Sequence, residues 1–301
     1  MFDKRFQRIS QVVILLTGLF TAALAGARSD AQSYDDVGVL ADFEPVHWAY
    51  SAFFGTGWYE KKDARSVFVL RIPPRQVLRE AAITENGERK LGLEIRYPLT
   101  IGLHDIDDLG GIIENDNFGT VSFVPGAELV IPINRQWQLR SAAHFGYGRE
   151  LQLGESAWIY HAGIKSRYSF PKRGKNQLHL LNSLYYAGFT PDEGRSDHLS
   201  VAEIGLELDQ PLARAQIMGR PLDLHWTAIY SFMGNNIDFN VPDSTFEPVK
   251  DQFEIGVQAS FRDGPLKLWF YDLHRLGIGY RFSSNGEFSA ITLSFRSWFT
   301  K

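Results

Sequence analysis

A histidine and a serine, His198 and Ser200, stand two residues apart in the second half of the chain. Side chains two apart on an extended strand point the same way, so the imidazole and the hydroxyl share one face. Such a serine attacks an ester when the histidine lies within about 3 Å and a third group orients the histidine. The sequence offers no orienting group, because Glu203 falls on the opposite face. We predict a polar strand end and keep hydrolysis by His198 and Ser200 as an alternative.

The most acidic segment runs from 104 to 117 and reads HDIDDLGGIIENDN. It lacks the ligand that a calcium loop has at its fifth position, where Leu109 stands. We predict a solvated acidic loop. The spacings typical of zinc sites, nucleophile elbows and nucleotide-phosphate loops do not occur in the sequence. The chain is therefore predicted not to be an enzyme, with no metal site and no cofactor.

The elements that hold these residues alternate in polarity. From 287 to 301 the chain reads EFSAITLSFRSWFTK, and its apolar positions share one side of an extended strand: Ile291, Leu293, Phe295 and Phe299. An apolar strand that ends at an aromatic near its C-terminus resembles the closing strand of bacterial outer-membrane β-barrels. The barrel-assembly machinery reads that strand during biogenesis. We therefore predict that Phe295 and Phe299 form the assembly signal.

The segment from 91 to 103 keeps the same alternation without a break, and a tilted wall strand needs roughly ten residues. Segments of this kind predict twelve strands, at about 47–59, 65–74, 91–103, 121–133, 137–147, 158–170, 177–189, 197–209, 222–232, 253–261, 266–282 and 287–301. The predicted fold class is all-β, a single transmembrane antiparallel β-barrel of twelve strands. Between 269 and 275 the alternation loses phase, which predicts a bulge.

Short connections are predicted at one end of the barrel, at about 133–136, 171–175, 210–220 and 262–265. Longer, partly acidic loops are predicted at the other end, which is the outer-membrane pattern. The connection 75–90 is an exception, because its Asn86-Gly87 pair is a strong hairpin signal. We expect the second and third strands to continue there as a small periplasmic hairpin.

The N-terminal residues predict secretion. A basic start and a short apolar core, VVILLTGLFTAALA, precede small-residue cleavage sites, which indicates a cleaved signal peptide at 1–27. A short periplasmic segment, 28–46, would follow, and the barrel would span 47–301. The chain has no cysteine and a net charge of -4, which suits passage through the oxidising periplasm and excludes nucleic acid as a partner.

Charged residues at the inward positions are the main functional signal. They form a predicted lumen charge network: Glu94, Arg96, Glu128, Arg140, Lys165, Arg167, Glu203, Glu207, Asp223, Glu254, Arg275, Arg281 and Arg296. Twelve tilted strands enclose a bore of roughly 10 Å once side chains are counted. Such a bore either conducts small solutes or is filled by ion pairs that hold the wall together. The sequence leaves both readings open.

Four segments resemble the solitary outer-membrane autotransporter β-barrel domain family: VSFVPGAELVIPI (121–133), HFGYGREL (144–151), ESAWIYHAGIKSRY (155–168) and LHRLGIGYRF (273–282). The resemblance covers roughly residues 47 to 299. It implies a twelve-stranded barrel like an autotransporter's translocator, but without a passenger domain. The family has no settled activity or catalytic residues, so it assigns no role to any residue here.

The sequence therefore predicts an integral outer-membrane barrel of the translocator type, structural or pore-forming. Its expected partners are outer-membrane lipids, lipopolysaccharide and the assembly machinery; its oligomeric state is not predicted. The alternatives are a lipid hydrolase that uses His198 and Ser200, and an adhesin that acts through its loops. Outer-membrane phospholipase A and lipid A deacylases use a similar His-x-Ser pair. Val201 and Ala202, however, stand where those enzymes have other residues.

Overall fold

The computed structural model describes residues 54–61, 66–104, 118–151, 154–192, 196–237, 249–268 and 271–295, together with Ser297 and Phe299. The predicted signal peptide, the segment 28–46 and the acidic loop beyond His104 lie outside these ranges. Within the described part, no helix is long and apolar enough to cross a membrane.

The described residues form nineteen β-strands, and paired strands run antiparallel. In chain order they are β1 (Thr56–Lys61), β2 (Ser66–Ile72), β3 (Arg75–Arg79), β4 (Ala82–Ile83), β5 (Arg89–Lys90), β6 (Gly92–Arg96), β7 (Leu99–His104), β8 (Phe118–Phe123), β9 (Gly126–Pro132), β10 (Trp137–Glu150), β11 (Ser156–Ser169), β12 (Gln177–Pro191), β13 (Asp197–Ile217), β14 (Arg220–Ile237), β15 (Val249–Phe261), β16 (Leu266–Leu268), β17 (Tyr271–Leu273), β18 (Leu276–Phe282) and β19 (Phe288–Ser294).

Fifteen of these strands form one sheet that closes on itself. The last strand, β19, pairs with β1, and β10 pairs with β8 and β9 on one side and with β11 on the other. Three wall strands consist of two consecutive segments each, namely β2 with β3, β6 with β7, and β8 with β9. The wall therefore has twelve strands, which confirms the predicted all-β antiparallel barrel.

Prolines cause these interruptions, and they fall between the two segments of each broken strand: Pro73 and Pro74, Pro98, and Pro125. A proline has no N–H to give to the ladder, so it is tolerated only where pairing is already broken. Backbone N–H groups bridge the gap by donating to proline carbonyls: Tyr97 to Pro74 at 2.9 Å, Val124 to Pro98 at 3.2 Å, and Phe145 to Pro125 at 3.0 Å. We call this line across three adjacent strands the proline crease.

One end of the barrel carries short turns, for instance at Met218 and Gly219, and we call it the turn end. The opposite end, where the wall approaches 105–117 and 238–248, is the loop end. The predicted connection 210–220 was wrong, because β13 continues to Ile217 before it turns. Met218 and Gly219 both have positive φ, 55° and 76°, which gives a two-residue hairpin turn that matches strand twist. In the sequence, Pro211 and Pro221 are typical of a connection, although the segment between them continues the strand pairing.

Two smaller hairpins also lie at the turn end. The hairpin predicted from Asn86-Gly87 is confirmed, since β4 pairs with β5 and Gly87 has a φ of 80°. The bulge predicted between 269 and 275 was wrong. There the chain forms a separate hairpin, in which β16 pairs with β17, before β18 enters the wall. A hairpin, in which the chain reverses, interrupts the alternation of polarity in the sequence just as a bulge does.

The two faces of the wall differ as predicted. Large apolar side chains are exposed on the outward face, among them Phe145, Trp158, Ile204, Trp226, Ile255 and Ile278. The inward face is polar over most of its height. Towards the loop end, however, inward positions form a buried apolar cluster: Phe54, Tyr59, Val69, Val124, Ala157, Ile159, Ala187, Phe189, Leu199, Val201, Met233, Val249, Phe288 and Ala290. The sequence prediction of a polar lumen missed this loop-end cluster.

Candidate functional site: the charged lumen

The first group of predicted lumen charges surrounds two carboxylates. Glu94 on β6 lies directly opposite Glu128 on β9, a pairing of like charges that is unfavourable unless cations intervene. Arg96 donates to Glu128 at 3.1 Å and lies 3.6 Å from Glu94. Arg140 donates to Glu94 at 3.3 Å and also to Glu128, and Arg75 reaches Glu94 at 3.1 Å. These residues form the Glu94–Glu128 network, whose members other than Arg75 are buried.

A second network lies nearer the turn end and is centred on Glu207, which is fully buried. Arg167 donates to Glu207 at 3.0 Å and Arg275 donates to it at 2.9 Å. Asp209, two residues on, contacts Arg167 at 3.4 Å and His179 at 3.0 Å. Sequence reasoning missed Asp209, because the predicted strand ended there. The structure continues β13 past it, so the alternation would have assigned it to the lumen.

The same carboxylate begins a hydrogen-bonded chain across three adjacent strands. Asp209 Oδ1 lies 2.6 Å from His225 Nδ1, and His225 Nε2 lies 2.8 Å from the hydroxyl of Ser260. An ionised aspartate only accepts hydrogen bonds, so Nδ1 carries the proton and Nε2 accepts from Ser260. This is the arrangement of atoms that activates a serine nucleophile.

Serine catalysis needs more than this hydrogen-bonded chain. Acyl transfer needs donors aimed at the developing oxyanion and space for the substrate carbonyl. Ser260 lines neither the cavity around Arg140 and Lys165 nor the cavity around Asn134 and Ser169. Arg275 lies near Asp209, as Arg167 does. Its guanidinium group donates to the buried Glu207. The chain of Ser260, His225 and Asp209 thus fits a lumen wall that satisfies its own polar groups.

The remaining predicted charges have simpler partners. Arg281 donates to Glu254 at 2.6 Å in a buried pair. Glu203 accepts hydrogen bonds from Ser183 at 2.6 Å and from Ser231 at 3.3 Å. Each carboxylate is therefore stabilised by residues from neighbouring strands, which ties the wall together from inside.

Three predicted lumen residues remain, of which the structure describes two. Asp223 pairs at 2.6 Å with Arg262, which is exposed at the turn end. Lys165 on β11 lies opposite Arg140 in the β10–β11 pairing and faces the lumen. Arg296 lies outside the described residues, so its predicted position stays a prediction.

Phe299 corrects a placement predicted from the sequence. The sequence pattern put Phe299 on the same side as Ile291, which is exposed outside the barrel. That placement was wrong, because the side chain of Phe299 is only 1% exposed and packs against Leu181 and Ile229 inside the barrel. The regular strand ends at Ser294, so the period-2 pattern no longer holds five residues later. Phe295 stays partly exposed. The roles of Phe295 and Phe299 in assembly remain predictions.

The sequence-predicted pair His198 and Ser200 lies on the outward face. The ring of His198 stacks on Tyr186 with centroids 5.5 Å apart. Glu203 is turned to the lumen, where it accepts from Ser183, so it cannot orient His198. The polar strand end that we predicted therefore fits this region.

Three side chains place possible metal ligands within 4.8 Å of one another: His179, Glu207 and Asp209. Arg167 and Arg275 occupy both oxygens of Glu207, and they also lie beside Asp209. A divalent cation would have to displace these guanidinium groups or share ligands with them. The group is therefore better suited to binding arginine than to binding a metal.

Two cavities accompany the networks. One of about 100 Å³ lies in the lumen and is lined by residues that include Arg71, Arg140, His161, Lys165 and Glu203. We call it the lumen cavity. The other, of about 380 Å³, opens at the turn end between the β4–β5 hairpin and residues such as Asn134, Arg167 and Ser169.

Comparison with solved structures agrees with this architecture. The β domain of the Bordetella autotransporter BrkA superposes with a TM-score of 0.50 at 8% identity, covering 79% of this chain and 94% of that one. The transport unit of the autotransporter AIDA-I from Escherichia coli gives a TM-score of 0.37 at 11% identity, covering 93% and 98%. No protein-family model matches the sequence, and no curated protein matches it. The chain has the fold of an autotransporter β domain, as the sequence resemblance implied.

Proposed function

We propose that this chain is an integral outer-membrane β-barrel of the translocator type, and that its closed lumen gives it a structural role instead of that of an open pore. The observation that carries the proposal is the contrast between the two faces of one closed sheet. Outward positions expose large apolar side chains such as Ile255 and Ile278, whereas buried ion pairs and a buried apolar cluster fill the inside. An exposed apolar face on a closed barrel suits lipid, because closure pairs the last strand with the first and the sheet has no free edge there.

Two layers support the closed state. The Glu94–Glu128 network and the second network, centred on Glu207, place buried salt bridges in the lumen towards the turn end. The loop-end cluster adds a layer that excludes water, and hydrophobic constrictions of this kind oppose the passage of ions. Phe189 and Met233 within it are both almost fully buried.

The proposed location rests on the sequence patterns of the N-terminal residues and of the last strand. Residues 1–27 act as a cleaved signal peptide, residues 28–46 precede the barrel in the periplasm, and the loop end faces the lipopolysaccharide. The assembly machinery inserts the chain, and Phe295 and Phe299 contribute to its recognition. No nucleic acid, cofactor or metal is required.

Fractionation and electrophoresis test the membrane assignment. The folded protein should be recovered with outer membranes and should migrate differently on gels before and after boiling. In planar bilayers the refolded protein should show little or no steady conductance. Recovery in the soluble periplasmic fraction would contradict the membrane assignment, and a large, stable conductance would contradict the closed lumen.

The proposal also holds that the chain is not an enzyme. A fluorophosphonate probe, which labels activated serines, should not label the refolded protein at Ser260 or Ser200. Lipid extracts from expressing cells should match those from cells that express Ser200→Ala or Ser260→Ala variants. Labelling that disappears in Ser260→Ala and in His225→Gln would show instead that the lumen chain is catalytic.

A further inference from the structure

We propose that the lumen cavity binds one small oxyanion, of the sulfate or phosphate class, as a counter-ion for the charges around it. The proposal concerns the interior of the barrel and does not depend on whether the barrel conducts. It rests on the cavity's size, the charge of its lining and two buried nitrogen atoms.

The charge of the lining is the first step. Five cationic side chains line the cavity: Arg71, Arg96, Arg140, Lys165 and Arg281. Two carboxylates, Glu128 and Glu203, line it with them. Glu94 and Glu254 reach three of these arginines from outside the lining, at 3.6 Å, 3.3 Å and 2.6 Å. Arg75 also reaches Glu94, at 3.1 Å, so six positive charges then face four negative ones among the described residues. Surplus charge away from water is costly, and a bound anion offsets it.

The donors are the second step. Among the buried nitrogens of this lining, Arg140 Nε and His161 Nε2 have no hydrogen-bond partner in the described structure. Both residues are more than nine-tenths buried and both line the cavity. Leaving a buried donor unsatisfied costs free energy, more so for a charged group. An oxyanion accepts several hydrogen bonds at once, so it suits the Nε–H of Arg140, the ammonium of Lys165 and the His161 tautomer that carries its proton on Nε2.

The position of His161 strengthens this reading. Its ring stacks on His144 with centroids 4.1 Å apart, and His144 Nδ1 lies 3.1 Å from the carbonyl oxygen of Val124. A carbonyl only accepts, so His144 Nδ1 carries a proton and its ring is held in place. Through the stack, His144 in turn holds His161 against the cavity.

The size of the cavity is the third step. A single water needs about 10–15 Å³ of such volume, and the lumen cavity has about 100 Å³. A tetrahedral oxyanion with a few waters therefore fits. The cavity shares Arg96, Glu128 and Arg140 with the Glu94–Glu128 network, and because these side chains are buried, an ion–ligand contact there is strong.

Titration calorimetry with sodium sulfate, on protein refolded in a zwitterionic detergent, tests the proposal. Sulfate should bind once per chain, and Lys165→Met should weaken it roughly ten- to hundredfold, as expected for the loss of one charge-assisted contact. The matched control is Lys267→Met, an exposed lysine on β16 outside the cavity, which should bind like the wild type. Inorganic phosphate should compete with sulfate.

A second variant, His161→Phe, keeps a ring beside His144 but removes the nitrogen, and it should also weaken sulfate binding. The folding of each variant is first checked by the shift in its gel mobility on boiling. A variant that does not fold is replaced in the binding measurement by Lys165→Gln. Absence of saturable binding by the wild type, or equal binding by Lys165→Met and Lys267→Met, would overturn the proposal. The membrane and conductance tests are unaffected by either result, so this site and the proposed function can fail separately.

Discussion

The guanidinium carbon of Arg140 lies 5.3 Å from the centre of the Phe299 ring. The C-terminal aromatic thus forms a cation–π contact with a residue that also binds Glu94 and Glu128. Phe299 and Arg140 are more than 150 residues apart in sequence, so this contact joins the end of the chain to the interior of the wall. The end of the chain therefore helps to fill the lumen.

Truncation of Phe299 should destabilise the barrel. Phe299→Ala removes a fully buried ring from Leu181 and Ile229 and leaves a cavity, which costs about 3–5 kcal/mol. Phe295→Ala, at a partly exposed position, should cost much less. Urea unfolding followed by tryptophan fluorescence measures both. If the two variants are equally stable, Phe299 does not pack inside.

Loss of one lumen carboxylate should be costly as well. Glu128→Ala leaves Arg96 and Arg140 with Glu94 as the one carboxylate of the network that they still share, and breaking a buried pair typically costs about 3–5 kcal/mol. The exposed Glu88→Ala is the control and should change stability little. The temperature at which the folded band disappears on gels compares the variants. An unchanged temperature for Glu128→Ala would show that the network is not needed for stability.

The assignment of faces can be tested at one position. Ile95 points outward between the buried Glu94 and Arg96, so Ile95→Arg places a charge on the lipid face. Near mid-membrane this costs roughly 2–4 kcal/mol. Ile95→Leu is the matched control and should be neutral. Equal folded yields of the two variants in lipid vesicles would mean that the face around Ile95 does not contact the hydrocarbon.

Thinning of the loop-end cluster should open the lumen. Phe189→Ala combined with Met233→Ala removes two large apolar side chains from the layer that excludes water. Conductance in planar bilayers should rise relative to the wild type. Phe145→Ala, on the outward face, is the control and should leave conductance unchanged. A double variant as silent as the wild type would place the barrier elsewhere.

The turn end should respond to acid through one exposed pair. Hydrogen bonds from Arg220, at 2.8 and 3.0 Å, hold the pKa of Asp263 below its usual value. A lowered folded-state pKa gives stability that is complete above the unfolded pKa of about 3.9 and is lost as the pH falls through the folded value. Asp263→Asn should flatten the pH dependence of unfolding below about pH 4. An identical acid profile would show that solvent screens the pair fully.

Period-2 alternation accounts for what the sequence could predict. It placed Glu94, Glu128 and Arg140 in the lumen, and the closed sheet brings them into contact as a network. Alternation fixes only the face of a residue, and it does not fix which residues meet across the barrel. The partners of Glu207 come from strands that are distant in sequence, so only the closed sheet reveals them.

What the sequence could not predict depended on where regular strands stop. Phe299 was placed outward because the pattern was extended beyond the last regular strand. Asp209 was missed for the opposite reason, since Pro211 made the strand look shorter than it is. The loop-end cluster was missed because apolar residues at inward positions, such as Ile159 and Leu199, contradict the expectation of a polar lumen.

The proline crease makes the barrel mechanically uneven. In the part of the wall from β11 to β13, neighbouring strands pair along unbroken runs, as from Gln177 to Phe189 on β12. Across the crease, each of three wall strands loses ladder contacts at its prolines, and only single hydrogen bonds bridge the gap. Bending and twisting strain will therefore concentrate in that quarter of the circumference. A membrane that changes in thickness or curvature would deform the wall at the proline crease before it deforms the wall from β11 to β13.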